Sequence, residues 1–199
     1  MTNRLLPEAA LDRPALRFLD QVALPLGRVH EICGGARRTL AAMLAGATTG
    51  PVLWIQPAWG VERINGEALT RFADPGRFVF LYPRRPEDLL WVMEEALRSG
   101  AVPLAVADLP APPGLTPVRR LHLAAEAGAA AGRCRPLGLL LTEGEGGAQG
   151  AESRWHIAAE HGRAEGWRLG RRRARAEPPQ TWRLAAEGGR LRLTAAPEG

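Results

Sequence analysis

The stretch LPLGRVHEICGGARRTLAAMLA, residues 24–45, decides the fold. Within it, the segment Arg28–Cys33 predicts a β-strand, Gly34-Gly35 predicts a turn, and Ala36–Ala45 predicts a helix. A strand that leads through a glycine turn directly into a helix is a common place for a phosphate group to bind. The stretch therefore predicts an α/β fold whose candidate functional site lies at this turn.

Short apolar runs alternate with helical patterns after this stretch. Strands too apolar to alternate, joined through helices, are typical of a parallel sheet with helices on both faces. Pro86 and Gly100 mark the two ends of the clearest helix. The predicted strands are Val52–Ile55, Phe78–Tyr82, Val102–Asp108 and Leu137–Thr142, and the predicted helices are Glu62–Phe72, Pro86–Arg98 and Thr116–Ala131.

The pattern changes after Thr142. Four later segments alternate polar and apolar residues, which is typical of antiparallel strands with one solvated face. They are Arg154–Ala159, Gly166–Ala176, Gln180–Ala185 and Arg190–Thr194. The predicted organisation is an N-terminal helix and lead-in over 1–26, an α/β core over 27–142, a loop over 143–152, and an antiparallel extension of the same sheet over 153–199.

Composition narrows the function classes. All 26 basic residues are arginine, so the chain has no lysine for Schiff-base chemistry or for a phosphate-binding loop. Its two cysteines, Cys33 and Cys134, exclude a disulfide scaffold and a cysteine-based zinc finger. The histidines show no metal-ligand spacing, and no apolar run approaches the roughly 20 residues of a membrane span. We expect a cytoplasmic protein, associated with the nucleoid, that has no metal, cofactor or membrane contact.

Residues 24–142 resemble the core of RecA-type ATPases. LPLGRVHEICG is similar to the segment that enters the Walker A loop of that family, and LRSGAVPLAVADL is similar to its Walker B strand with the preceding turn. GWRLGRRRARAEPPQTWRL resembles the section that extends the RecA sheet. The resemblance implies a RecA-like P-loop-type core with Asp108 at the Walker B position, where an acid would hold Mg²⁺ through water.

The candidate nucleotide loop departs from the Walker A motif GxxxxGK[ST]. Its residues are Gly34, Gly35, Ala36, Arg37, Arg38 and Thr39. The loop is too short to wrap a phosphate, and it lacks the Gly-Lys pair. Gln56 also follows the strand after which RecA-like enzymes place the acid that activates water. Because the chain lacks the phosphate-binding loop, the lysine and the activating acid, it cannot supply the charges that stabilise phosphoryl transfer. We therefore expect no enzymatic activity.

Three stretches are similar to the ImuA family, the RecA-like accessory proteins of the bacterial mutasome. They are LPLGRVHEI, YPRRPEDLLWVMEEALRSGAVPLAVADL, and TPVRRLHLAAEAGAAAGRCRPLGLLLTE followed by AESRWHIA. The middle stretch is the most specific. The resemblance implies a part in SOS-induced, error-prone translesion DNA synthesis. It implies three partners: an ImuB-like Y-family polymerase homologue, an error-prone polymerase alpha subunit and RecA.

Two other functions stay open. A residual ATP-binding switch would make Asp108 a surviving metal contact, whereas otherwise it is a turn or capping residue. Arg37 and Arg38 would likewise either grip an anion or form a solvated pair. An SOS inhibitor of cell division is the other alternative, because such inhibitors share a reduced RecA-like architecture.

Two patches are candidates for contact with a partner or with single-stranded DNA. Arg84 and Arg85 precede the Pro86–Arg98 helix, in which Trp91 is either a core or half-buried residue or an interface anchor. The second patch combines an aromatic residue with a basic run: Trp167, Arg171, Arg172, Arg173 and Arg175. Basic side chains beside exposed aromatic rings are typical of single-strand binding. Edge strands also carry charge to deter aggregation, so DNA contact is one of two interpretations.

Overall fold

The computed structural model describes residues 14–160, 166–175, 177–188 and 190–196. Within these residues, two strands form a separate hairpin and nine form one sheet. In chain order the strands are β1 (Ala15–Phe18), β2 (Val22–Pro25), β3 (Arg28–Cys33), β4 (Val52–Ile55), β5 (Phe78–Leu81), β6 (Leu104–Asp108), β7 (Leu137–Thr142), β8 (Ser153–Glu160), β9 (Gly166–Ala174), β10 (Gln180–Glu187) and β11 (Arg190–Ala195).

The helices alternate with the strands of the core. They are α1 (Arg37–Gly46), α2 (Gly66–Leu69), α3 (Pro86–Ser99) and α4 (Leu115–Ala131), and a short 3-10 helix (Pro75–Arg77) precedes β5. The residues at its two ends explain the bounds of α3. Pro86 occupies its first turn, and Gly100 ends it in the left-handed conformation at φ 57°.

The large sheet has the strand order β11-β10-β9-β8-β3-β7-β6-β4-β5. The six strands from β8 to β5 are parallel. The remaining three, β9 to β11, add to β8 in antiparallel order. The prediction of an α/β protein with a large, mostly parallel central sheet is confirmed.

Apolar side chains cover both faces of this sheet. On one face, α1 and the β1–β2 hairpin pack over residues that include Trp54 and Trp155. On the other face, α3 and α4 pack over residues that include Val29 and Ala105. Gly138 in β7 lets α3 approach, because a Cβ there would lie 2.9 Å from Met93 Cε. Helices therefore lie on both faces, as predicted.

The N-terminal segment differs from its prediction. A β-hairpin occupies residues 15–25, so the predicted helix is wrong for this part of the chain, and residues 1–13 lie outside the described residues. The hairpin turns through Leu19 and Asp20, whose φ angles are 49° and 59°. No glycine marks this turn in the sequence. The indole N–H of Trp182 donates to Gln21 Oε1 at 2.6 Å and ties the hairpin to β10.

Two other elements differ from their predictions. The β8 strand is parallel to β3, whereas an antiparallel strand was expected, and it is antiparallel only to β9. The Glu62–Phe72 helix is reduced to the four residues of α2, and Asn65 sets its start by accepting from the Glu67 N–H. The predicted strand end at Ala176 lies outside the described residues.

A loop over residues 143–152 makes the connection from β7 to β8. A parallel connection usually contains a helix, but here the loop packs on the α4 side of the sheet, where Ala148 and Ala151 are buried. The buried Glu31 carboxylate in β3 anchors it. Its Oε1 accepts from the backbone N–H groups of Gly147 at 2.7 Å and Ala148 at 2.9 Å.

Further hydrogen bonds complete the partners of Glu31. Thr142 donates its hydroxyl to Oε1 at 2.8 Å, and Arg154 binds Oε2. Burial alone would raise the pKa of the Glu31 carboxyl, but the bonds from Ala148, Arg154, Thr142 and Gly147 outweigh burial and lower the pKa overall. Glu31 is therefore a buried carboxylate that holds the loop on the sheet.

A second buried polar group, His30, joins the hairpin to β8. Its Nδ1 lies 2.7 Å from Ser153 Oγ and its Nε2 lies 3.0 Å from the Pro25 carbonyl oxygen. Trp155 donates its indole N–H to the same Ser153 oxygen at 2.8 Å. Desolvation by burial lowers the pKa of His30 to about 4. The imidazole is therefore neutral at pH 7, with Nε2–H as the donor to Pro25.

Lowering the pH from 7 to 5 is expected to destabilise the fold through His30. The unfolded chain takes up this proton near pH 6.5, whereas the folded chain takes it up only near pH 4. Stability is therefore lost as the pH falls between these values, by about 2 kcal/mol at pH 5. The measurement is the free energy of unfolding in urea as a function of pH.

Two variants isolate this contribution. His30→Gln should have a shallower pH dependence than the wild type. His122→Gln should keep the His30 contribution and lose only its own, since burial also lowers the pKa of His122. An unchanged pH dependence in His30→Gln would contradict the assignment.

Candidate functional site

The candidate site lies where the parallel strands end at their carboxyl edge. Gly34 follows β3, Asp108 ends β6, and β7 lies between these two strands. The loops at this edge of an open α/β sheet are the usual place for a ligand. The structure therefore brings the two ends of the predicted nucleotide site to one place.

The turn after β3 is closed by bonds within the protein. Ala36 donates its backbone N–H to the Ile157 carbonyl oxygen at 3.2 Å, and Arg37 donates its N–H to the Gly34 carbonyl at 3.3 Å. Gly34 has a φ of 96°, and a Cβ there would lie 2.3 Å from the Ile157 oxygen. Two N–H groups that would face a phosphate are thus engaged, and β8 packs against the turn.

Two arginines at the start of α1 bind the Walker B candidate directly. Arg37 donates its Nε to Asp108 Oδ1 at 3.4 Å, and Arg38 donates its Nε to Asp108 Oδ2. The Asp108 side chain is only 4% exposed. Each carboxylate oxygen of Asp108 therefore accepts from a different guanidinium.

Two exposed glutamates extend these ion pairs outward. Arg37 Nη2 lies 3.1 Å from Glu143 Oε1, and Arg38 Nη1 binds Glu62 Oε2. We name these five residues the arginine–aspartate cluster: Arg37, Arg38, Asp108, Glu62 and Glu143. Burial alone would lower the pKa of Arg38, but its bonds and charge interactions with Asp108 and Glu62 outweigh burial and raise the pKa. The two guanidiniums therefore lie against three carboxylates.

The residue after β4 positions this cluster. Gln56 is buried, and its side chain donates from Nε2 to the Glu62 backbone oxygen at 3.2 Å. Its backbone N–H donates to the Leu81 carbonyl at 3.0 Å. Gln56 thus holds the segment that presents Glu62. Thr39 is half-buried within α1, and Gly35 is exposed.

The outer members of the cluster, Glu62 and Glu143, were not predicted from the sequence. Glu143 follows β7 directly and therefore lies at the same sheet edge as Asp108. This position was a usable signal, because carboxyl ends of parallel strands meet at one edge. Glu62 had no such signal, since it lies in an irregular segment placed by Gln56.

The first surface patch is exposed at its charged end. Arg84 and Arg85 are exposed before α3. Trp91 in α3 has 58% of its surface exposed, so it is not a core residue. This exposure contradicts the interpretation of Trp91 as a core or half-buried residue, and its role as an interface anchor stays a prediction.

Two residues of the second patch are buried, contrary to the prediction. Trp167 is buried, with 6% of its surface exposed, and Arg171 is buried at 5%. The Arg171 guanidinium carbon lies 5.7 Å from the ring centroid of Trp155 and 5.2 Å from that of Trp182. Desolvation by burial lowers the pKa of Arg171. Neither residue can contact DNA in this conformation.

Trp167 and Arg171 lie on the buried face of β9 because side chains alternate along a strand. Successive residues of β9 alternate between faces, so Trp167, Leu169 and Arg171 share one face. Arg171 also donates its Nε to the Pro178 carbonyl oxygen at 3.0 Å and pairs with Glu177. Its charge stabilises the connection from β9 to β10.

The rest of the basic run is exposed: Arg172, Arg173 and Arg175. Arg172 Nη2 lies 3.5 Å from Glu145 Oε2, and Arg175 Nε lies 3.7 Å from Glu152 Oε2. These distances are long for ion pairs, and the pair of Arg172 joins two exposed side chains, which contributes little to stability. The three arginines therefore remain available to a negatively charged partner.

The described parts of the chain contain neither a metal-binding cluster nor a membrane-spanning helix. No group of three or more histidine, cysteine, aspartate or glutamate residues there could hold a metal ion. No helix in the same ranges is long and apolar enough to cross a membrane. No protein-family model matches the chain, and no curated protein matches it in sequence.

Proposed function

We propose that this protein is a RecA-like adaptor, without ATPase activity, in SOS-induced error-prone translesion DNA synthesis. It brings an ImuB-like Y-family polymerase homologue together with an error-prone polymerase alpha subunit and RecA. The observation that carries the proposal is the arginine–aspartate cluster, which fills the edge of the sheet where a RecA-type ATPase would hold nucleotide and Mg²⁺.

The position of the cluster supports the RecA-like assignment. In P-loop ATPases, the Walker A hydroxyl and the Walker B aspartate hold the same Mg²⁺, so the two motifs must be neighbours. Here the turn at the Walker A position and Asp108 at the Walker B position are neighbours, and they are joined by ion pairs. This neighbouring placement is what the resemblance to RecA-type ATPases requires, and it supports the proposal.

The bonding of the cluster supports the loss of ATPase activity. A metal ion at Asp108 would have to displace both guanidiniums, and each would then lose its least exposed carboxylate partner. A phosphate at the turn would meet Ala36 and Arg37 N–H groups that are already engaged. Gln56 supplies no carboxylate to activate water.

The surfaces that remain accessible support a binding role. Exposed arginines follow the buried Arg171 in β9, and the exposed Trp91 projects from α3. Tryptophan and arginine are the residues that most often dominate protein interfaces. An adaptor that binds proteins, and single-stranded DNA through Arg172, Arg173 and Arg175, is consistent with such surfaces.

Co-purification and mutation frequency together test this proposal. The tagged full chain should retain the ImuB-like homologue that the same genome encodes. Deleting the gene for the present protein should lower the frequency of damage-induced mutation to the level seen when the gene for the ImuB-like homologue is deleted. Complementation with Arg172→Glu/Arg173→Glu then separates DNA contact from protein contact. Absence of binding to the homologue and to RecA would contradict the proposal. Filamentation on overexpression, with unchanged mutation frequency, would favour a cell-division inhibitor.

A further inference from the structure

Helices α3 and α4 touch at their C-terminal ends. A Cβ at Gly128 would lie 2.0 Å from the Leu97 carbonyl oxygen, and one at Gly132 would lie 2.5 Å from Gly100 Cα. Glycine is therefore required for this close approach. Near their N-terminal ends the same two helices leave a groove of about 580 Å³ between them.

The groove offers apolar surface to a partner. Trp91 of α3 and Pro117 and Leu121 of α4 line it. Leu121 is buried, whereas more than half of the Trp91 surface is exposed. A side chain of another molecule could thus lie against the exposed indole and the half-buried Pro117, with loss of water from the indole. Burial of such a tryptophan is a frequent source of binding energy.

The N-terminal end of the groove is negatively charged. Glu87 and Asp88 line it, and within the described residues neither side chain forms an ion pair. Glu94, farther along, is already paired with Arg98 and with Arg120, whose Nη2 lies 2.7 Å from Glu94 Oε2. Two uncompensated carboxylates therefore lie beside Trp91 in a protein whose net charge is +5.

Helix stability explains only part of this arrangement. Acidic residues in a first turn stabilise the helix through its dipole, which accounts for Glu87 and Asp88. It does not account for the exposed Trp91 one turn later. Arg84 and Arg85 precede the helix and do not line the groove.

We propose that the α3–α4 groove binds a basic, amphipathic helical segment of a partner protein. An apolar side chain of that segment packs against Trp91 and Pro117, and its lysine or arginine residues pair with Glu87 and Asp88. This helix-in-groove mode combines an apolar anchor with charge complementarity. The inference goes beyond the adaptor function, because it assigns one binding surface and does not depend on translesion synthesis.

Peptide selection on the full chain tests the inference. A phage library of random 16-residue peptides is panned on the wild type and counter-selected on Glu87→Arg/Asp88→Arg. The expected consensus has at least two basic residues spaced three or four positions from a large apolar residue. A synthetic peptide of that consensus should bind Trp91→Ala at least about tenfold more weakly than the wild type, and its affinity should fall with added salt.

Matched variants separate docking from loss of structure. Glu95→Gln and Arg84→Gln change exposed charges outside the groove and should leave peptide affinity unchanged. Because Trp91 is exposed, Trp91→Ala should keep the wild-type unfolding temperature. Three outcomes overturn the inference: recovery of no peptide, a consensus without basic residues, or equal binding to Trp91→Ala. Each leaves co-purification with the ImuB-like homologue as a separate result, so the two failures are distinguishable.

Discussion

Gly34→Ala is expected to destabilise the protein by about 3 kcal/mol. A non-glycine residue at a φ of 96° is strained, which alone costs about 1–3 kcal/mol. The added Cβ would also lie 2.3 Å from the Ile157 carbonyl oxygen, so β8 or the turn must move. That movement weakens the bond from the Ala36 N–H to the same oxygen. Urea unfolding of the variant and the wild type measures the difference.

The neighbouring glycine provides the control for this prediction. A Cβ at Gly35 would meet no atom within 4 Å beyond its chain neighbours, and its φ is not positive. Gly35→Ala should therefore change the free energy of unfolding by less than about 1 kcal/mol. Equal effects of the two substitutions would mean that β8 does not pack against the turn as described.

Asp108→Ala is expected to destabilise the protein by about 3 kcal/mol. The substitution leaves two guanidiniums, 11% and 28% exposed, without their buried carboxylate partner. Removing one partner of a buried ion pair typically costs about 3–5 kcal/mol. The exposed carboxylates of Glu62 and Glu143 offset part of this loss. Chemical unfolding again supplies the measurement.

Two further variants test the origin of the effect. Glu62→Gln removes a side chain that is 76% exposed and should cost less than about 1 kcal/mol. Arg38→Met combined with Asp108→Ala should cost less than the sum of the two single changes, because the cation and the carboxylate then leave together. If Asp108 were instead kept for a metal ion, its removal would leave the metal-free protein at least as stable as the wild type.

Some of this fold could be predicted from the sequence because some elements are determined by residues that are close together in the chain. The strands Val52–Ile55 and Leu137–Thr142 have the predicted bounds, since each is a short apolar run between turn residues. Helix α3 was recognisable from Pro86 and Gly100. Alternation along β9 would also have placed Arg171 on the same face as Trp167, but the run of arginines was interpreted by charge alone.

Other features depend on contacts between distant parts of the chain. Glu31 meets partners more than 100 residues away, and these partners hold a loop where a crossover helix is usual. The turn through Leu19 and Asp20 has left-handed backbone angles without a glycine to indicate it. The pairing of Arg37 and Arg38 with Asp108 required the strand order, which the sequence pattern did not supply. Each of these three features is determined by tertiary contacts.

Binding of ATP with Mg²⁺ is the most direct test of the central claim, that ion pairs occupy the place of a nucleotide. We expect the unfolding temperature to stay unchanged up to millimolar ATP and Mg²⁺. A ligand present at 100 times its Kd would add about 2.7 kcal/mol of stability. Saturable stabilisation of that size would contradict the account if it persists in Arg172→Ala/Arg173→Ala and disappears in Arg38→Ala, because nucleotide would then bind at the turn after β3.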